Sequence, residues 1–119
     1  MGIELDYRQE PGLLLVEMRG EWTGSAIHEA ILAVRAEADT RKLECLLVDV
    51  TEVSHPHMEL DRFFAGVRWA DQFPSRFRAA FVVTDVLYNG FAELVARNRG
   101  ANVSAHFDEA SARSWLKAQ

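Results

Sequence analysis

Two short apolar runs constrain the fold more than any other feature of the sequence. Residues 45–50 read Cys-Leu-Leu-Val-Asp-Val and are bounded by charged side chains, and residues 79–84 form a similar run. Runs this short and this apolar are typical of strands covered on both faces, which is the environment of central parallel strands. Since parallel neighbours need a long crossover connection, a helix is expected on each side of both strands.

The periodicity of the remaining chain supplies those helices and an opening hairpin. Alternating apolar positions predict strands over residues 3–8, 13–18 and 102–107, with a turn at residues 10–12 joining the first two. Helical spacing predicts four helices, whose apolar faces include Ile27 and Val34, Phe63 and Val67, Leu87 and Phe91, and Ala112 and Leu116. The predicted order is ββαβαβαβα, an α/β fold with a mixed, mostly parallel five-stranded sheet and an N-terminal antiparallel hairpin.

Local residue chemistry predicts where several of these helices begin and end. Thr23 or Ser25 can cap the first helix, and Asp108 can cap the last. Pro56 fits the first turn of the second helix, and Pro74 ends that helix because it restricts the backbone of the residue before it. Gly100 is a natural stop for the third helix.

Length and charge exclude several classes of protein. The chain has 119 residues, so residues 1–119 are expected to form a single domain. Its 18 acidic and 13 basic side chains give a net charge of −5, which argues against nucleic-acid binding. One cysteine excludes an intrachain disulfide and a multi-cysteine metal site. The sequence lacks a membrane-length apolar run and a secretion signal, so a cytoplasmic protein is expected, and its arginine bias hints at a bacterial source.

Three stretches together resemble the STAS-like, or SpoIIAA-like, superfamily. They are Gly-Glu-Trp-Thr at residues 20–23, Leu-Leu-Val-Asp-Val-Thr-Glu-Val at residues 46–53, and Phe-Asp-Glu-Ala at residues 107–110 followed by Trp115 and Leu116. They occur in the family's order, and the chain's ending looks most like the bacterial SpoIIAA-like branch. The resemblance implies a STAS-like fold and a non-enzymatic regulatory module that acts by binding a protein partner or by forming a homodimer.

The resemblance also directs attention to the start of the second helix. In anti-sigma factor antagonists of this family, a kinase phosphorylates a serine in an Asp-Ser-Ser-Gly stretch at that place. Here residues 54–60 read Ser-His-Pro-His-Met-Glu-Leu, without the Ser-Gly element. Ser54 is the one hydroxyl in this stretch and is the candidate phosphoacceptor. The alternative is a loop serine that hydrogen-bonds to nearby backbone.

Other reactive side chains have both a chemical and a structural interpretation. His55 and His57 suit a metal site only if further donors converge on them, and surface histidines beside a helix start are the alternative. Cys45 is either a reactive thiol or a small buried hydrophobe. Asp49 and Asp85 follow the two central strands, where carboxylates can act in catalysis or simply form turns. No catalytic motif supports chemistry, and neither an enzyme, a metal nor a cofactor is expected.

An excess of aromatic side chains predicts the working surface. Trp69 and Phe73 fall on a shifted stripe of the second helix, and Tyr88 lies off the core face of the third. If exposed, they would form a partner surface together with Thr51, Glu52, His55 and His57 of the preceding loop. The alternative is that the segment around Phe77 covers them.

A second hypothesis is a carrier or sensor of an apolar or anionic small molecule, by analogy with the distantly similar CRAL-TRIO lipid-binding fold. An apolar cavity beneath Phe63, Phe64 and Phe91 would favour this carrier. A filled core with Trp69 exposed would favour the protein-binding module.

Overall fold

A computed structural model describes residues 2–84 and 89–118 of the chain. Within these residues the elements follow in the order β1 (Ile3–Glu10), β2 (Leu13–Gly20), α1 (Gly24–Arg41), β3 (Cys45–Val53), α2 (Glu59–Gln72), β4 (Arg78–Val82), α3 (Phe91–Asn98), β5 (Asn102–His106) and α4 (Glu109–Ala118). This is the predicted order of strands and helices. None of the helices in this part of the chain combines the length and the apolar character needed to cross a bilayer.

The five strands form one sheet in the order β1-β2-β3-β4-β5. β1 pairs with β2 in antiparallel orientation, and every later pair is parallel. Leu46 of β3 lies between Leu14 of β2 and Ala79 of β4 and is fully buried. The predicted α/β fold, with its central parallel strands and N-terminal hairpin, is therefore confirmed.

Helix termini follow the predicted local chemistry at most positions. The Thr23 hydroxyl accepts a hydrogen bond from the Ala26 N–H at 3.2 Å, and the Asp108 carboxylate accepts one from the Ser111 N–H at 2.7 Å. α2 ends at Gln72, ahead of Pro74, as predicted.

The start of α2 differs from the prediction, and the predicted start of α3 lies partly outside the described residues. Pro56 is not in the first turn of α2, because that helix begins at Glu59 and Pro56 is buried in the preceding loop. α3 begins at Phe91, and Leu87 lies outside the described residues.

The two faces of the sheet are covered unequally. α1, α2 and α3 pack on one face over a large core that contains Val34, Val48, Trp69 and Phe73. α4 packs on the other face over a smaller cluster centred on Leu47, Ala80, Val82, Ala112 and Leu116. An exposed apolar surface and an apolar cavity both lie on the face with three helices.

Candidate interaction surface and apolar cavity

The aromatic residues predicted to be exposed on α2 belong to the core. Trp69 is 5% exposed and Phe73 is 1% exposed. Their rings stack with centroids 4.0 Å apart, while Phe77 meets Phe73 edge-on at 5.2 Å and Phe81 meets Trp69 edge-on at 4.8 Å. The interpretation of Trp69 and Phe73 as an exposed patch is wrong, and the alternative, that the segment around Phe77 covers them, is confirmed. The segment around Phe77, together with β4, closes over the C-terminal half of α2.

A different set of apolar side chains is exposed on the same helix and its neighbour. Met58 is 60% exposed, Leu60 53%, Phe64 42% and Leu94 54%. Phe63 and Phe91 lie between them and are half-buried. We call this surface the α2–α3 patch, and it comprises Met58, Leu60, Phe63, Phe64, Phe91 and Leu94. Leu60 and Phe64 are four apart on α2, a spacing in the sequence that could have revealed an outward-facing apolar stripe.

Ring contacts and helical spacing connect the patch across the two helices. Phe63 contacts Phe64 edge-on with centroids 5.5 Å apart, and it contacts Phe91 of α3 at 6.5 Å. Leu60 is one helical turn from Phe64, and Leu94 is one turn from Phe91, so each pair shares a helix face. These relations connect the five patch residues of α2 and α3, and Met58 adjoins them as the N-cap residue of α2.

Polar side chains border the α2–α3 patch. The Arg68 guanidinium lies over the Phe64 ring, 5.9 Å from its centroid. The Glu59 carboxylate accepts hydrogen bonds from the Arg62 guanidinium at 2.9 Å and from the Asn89 side-chain amide at 2.9 and 3.1 Å. The contact with Asn89 ties the start of α2 to the residues just before α3.

The polar residues predicted to share a loop surface lie at the end of β3 and in the loop before α2. Thr51 and Glu52 were expected in the loop, but they belong to β3, which continues to Val53. Thr51, Glu52, His55 and His57 are all exposed. The His57 imidazole lies 3.6 Å from the Glu21 carboxylate. The loop leads directly into Met58, so these four residues and the α2–α3 patch occur along one continuous stretch of chain. Tyr88, the remaining predicted surface residue, lies outside the described residues.

Ser54 has backbone partners in this loop. Its hydroxyl accepts a hydrogen bond from the Trp22 N–H at 3.3 Å, and its own N–H donates to the Gly20 carbonyl at 3.0 Å. It precedes Met58, the N-cap residue of α2, by four positions. These contacts are those of a loop serine that joins two segments. Phosphorylation of Ser54 stays a prediction, and intact-mass measurement before and after phosphatase treatment would test it.

The contacts of Cys45 and Asp49 are typical of residues with a structural role. Burial raises the pKa of the half-buried Cys45 thiol, although the Arg78 guanidinium opposes this effect, so the thiolate is disfavoured. Asp49 lies within β3 rather than in a turn, and its carboxylate accepts local hydrogen bonds from the Thr51 N–H at 2.8 Å and the Thr51 hydroxyl at 2.7 Å. Asp85 lies outside the described residues, among which no three His, Cys, Asp or Glu side chains converge to hold a metal ion.

Beneath α2 and α3, next to the sheet, is an apolar cavity of about 140 Å³. Its wall includes Trp69 and Phe81, with the small residues Gly66 and Ala96 on the two helices. An apolar cavity beneath Phe63, Phe64 and Phe91 was expected to favour the small-molecule hypothesis. The cavity lies beneath the helices that carry these residues, and none of the three is part of its wall. The condition set for the protein-binding module, a filled core with Trp69 exposed, is not met, because Trp69 is buried beside this cavity. Small residues on α2 and α3 are compatible with such a cavity but do not predict it, because its walls also come from the sheet and α1.

Two solved structures resemble this chain over nearly its whole length. An anti-sigma factor antagonist from Mycobacterium paratuberculosis has a TM-score of 0.66 and 14% sequence identity, covering 98% of this chain and 95% of that chain. An uncharacterized protein with a SpoIIAA-like fold from Shewanella loihica PV-4 has a TM-score of 0.59 and 17% identity, covering 97% and 94%. No protein-family model matches the sequence, and no curated protein sequence matches it. The chain has the SpoIIAA-like fold.

Proposed function

We propose that this protein is a non-enzymatic regulatory module that binds another protein, or a second copy of itself, through the α2–α3 patch. One observation carries the proposal. Large exposed apolar side chains concentrate on two adjacent helices, with Leu60 and Phe64 on α2 and Leu94 on α3. Contiguous exposed apolar surface with a polar border is typical of protein interaction sites.

The composition of the α2–α3 patch supports binding of a folded partner. Two phenylalanines, Phe63 and Phe64, lie at its centre, and aromatic side chains are enriched in the cores of interfaces. The charged groups of Glu59, Arg62 and Arg68 lie around them and can set the orientation of a partner. Burying such a centre behind a polar rim is the usual arrangement of an energetic hot spot.

Residues 51–57, which are the end of β3 and the loop that follows it, form the polar side of the proposed surface. Thr51, Glu52, His55 and His57 are exposed there and precede the patch directly. Trp69 and Phe73 support the surface from the core and do not touch a partner in this proposal. Tyr88 remains a proposed member of the surface.

Fold likeness agrees with a regulatory role. One structural neighbour is described as an anti-sigma factor antagonist, although the identity of 14% makes this an analogy of fold. In this chain the proposal depends on the α2–α3 patch, since the family's phosphorylated Ser-Gly element is absent.

Affinity isolation with matched variants tests the proposal. The tagged protein would be expressed in its cell of origin as wild type, as the double variant Leu60→Asp/Phe64→Asp, and as Leu32→Asp. Leu32 is the control because it is 40% exposed, close to the 42% of Phe64, but lies on α1. Sedimentation of the purified proteins would separately report self-association.

We expect a stoichiometric partner, or a dimer, with the wild type and Leu32→Asp, and its loss with the double variant. A charged side chain in a desolvated apolar interface is expected to weaken binding at least about 100-fold, the effect of one strong hot spot. Retention of the same partner by the folded double variant would contradict the proposal. So would a wild type that sediments as a monomer and captures no stoichiometric protein.

A further inference from the structure

We propose that the cavity beneath α2 and α3 is a binding site for a small, mostly apolar molecule, about the size of one aromatic ring, that carries a single hydrogen-bond acceptor. The cavity has a volume of about 140 Å³. An enclosed apolar protein cavity of roughly 150 Å³ admits benzene or xenon. The present cavity is partly open to solvent and has a similar volume, so it fits a ligand of that size. This proposal does not depend on the α2–α3 patch and is tested separately.

The walls of the cavity are largely hydrocarbon. Met18, Ile31, Val53, Phe81 and Val103 contribute from the sheet and α1, and each contacts the same cavity. Water in such a space would find few hydrogen-bond partners, which favours an apolar occupant.

The cavity is held open by how α2 and α3 approach each other. A Cβ atom placed at Gly66 would lie 2.6 Å from the Ala92 carbonyl oxygen and 2.8 Å from the Val95 Cβ. The two helices are therefore in contact at Gly66 and cannot move closer to fill the space. On either side of that contact, Ala65 of α2 and Ala96 of α3 line the cavity with short side chains. An unfilled apolar space is a cost to stability that a ligand would remove.

A second observation points to the hydrogen-bond acceptor. Trp22 lines the cavity, and its indole Nε1 is buried without an acceptor among the residues that the structure describes. The Trp22 backbone is fixed by its hydrogen bond to the Ser54 hydroxyl. A buried N–H donor without a partner is unfavourable. Nε1 is covered by neighbouring atoms, so in this proposal a ligand acceptor gains affinity and chemical specificity when the indole ring turns its N–H toward the cavity.

The first test uses benzene as the probe and compares cavity-filled variants. Binding would be followed by amide chemical shifts and by thermal unfolding of the full chain. Ala65→Leu and Ala96→Leu fill the cavity from α2 and from α3 respectively, so a folding defect in one leaves the other informative. Ala36→Leu is the control, because Ala36 is exposed on α1 and makes no part of the cavity wall.

We expect saturable benzene binding to the wild type and to Ala36→Leu, with shifts confined to cavity residues, and a loss of at least about tenfold in affinity in each folded cavity variant. Absence of saturable binding to the wild type would overturn the proposal. Equal binding by a folded cavity variant would also overturn it.

The second test separates the acceptor from the apolar part of the proposal. Pyridine has the shape of benzene and adds one acceptor nitrogen, and it would be used at a pH where it is neutral. In Trp22→Phe, we expect pyridine affinity to fall by about three- to tenfold more than benzene affinity, the size of one hydrogen bond. An equal change for both probes would contradict the role assigned to the Trp22 indole N–H.

Discussion

The two halves of α2 differ in whether their apolar side chains are buried. The C-terminal half places Trp69 against the sheet and is followed by the fully buried Phe73. The N-terminal half exposes Leu60 and Phe64 to solvent. The difference shows that an aromatic residue on a helix is buried only where another part of the chain covers it. Phe77 and Phe81 do so at one end of α2, and the described residues contribute no comparable cover at the other.

The largest effect is expected from removing the aromatic stack at the buried end. Trp69→Ala should lower the free energy of unfolding by about 3–5 kcal/mol, since it leaves a large cavity against Phe73 and Phe81. Phe64→Ala is the counterpart at the exposed end and should cost less than about 1 kcal/mol. Urea unfolding of both variants would measure the difference. Similar losses would show that the two halves do not differ in burial.

Gly66 marks the boundary between the two halves and should give the next largest effect. Glycine to alanine inside a helix ordinarily stabilises by about 0.5–1 kcal/mol. Here the added Cβ would meet the Ala92 carbonyl oxygen and Val95, so Gly66→Ala should instead destabilise by about 1–3 kcal/mol.

Gly24→Ala is the matched control for this substitution. A Cβ there would meet only the Asp61 carboxylate oxygen, at an ordinary 3.7 Å. A stabilising Gly66→Ala, measured by the same unfolding experiment, would mean that α2 and α3 are less tightly packed than the structure has them.

A smaller effect on stability is expected at Met58, which immediately precedes the exposed half of α2. Met58 is the N-cap of α2 and makes no side-chain capping hydrogen bond, whereas Thr23 caps α1. Met58→Ser should stabilise the protein by about 0.5–1 kcal/mol, and Thr23→Ala should destabilise it by about 1 kcal/mol. Thermal unfolding would check both signs. A destabilising Met58→Ser would show that the methionine side chain contributes packing that its exposure of 60% does not suggest.

The smallest effect on stability is expected within the α2–α3 patch itself. Leu60→Asp should change the free energy of unfolding by no more than about 0.5 kcal/mol, because Leu60 is 53% exposed. The same measurement on Leu32→Asp of α1 provides the comparison. A large loss in Leu60→Asp alone would assign Leu60 to the core and remove it from the proposed surface.

Features fixed by local sequence were predictable. The run that contains Leu46 predicted a central strand because all of its side chains except Asp49 are apolar, and the structure has a central strand there. Thr23 and Asp108 were predictable as caps because an N-cap depends on residues only three positions away.

Features that depend on distant parts of the chain were not predictable. Trp69 and Phe73 could be placed on a common stripe, but their burial depends on Phe77 and Phe81, whose approach is set by the sheet. The cavity likewise depends on the contact of Gly66 with α3. Sequence periodicity gives the face of a helix on which a residue lies, and it does not give what the fold places opposite that face.

The most direct test of the central claim is a photo-crosslink from the α2–α3 patch. A photoreactive phenylalanine analogue would be placed at position 64, and in a separate protein at position 32, and both would be irradiated in the cell of origin. We expect one discrete adduct, either a partner chain or a second copy, from position 64 and none of that mass from position 32. The same adducts from both positions, or no adduct from position 64 in a folded and expressed protein, would contradict the central claim.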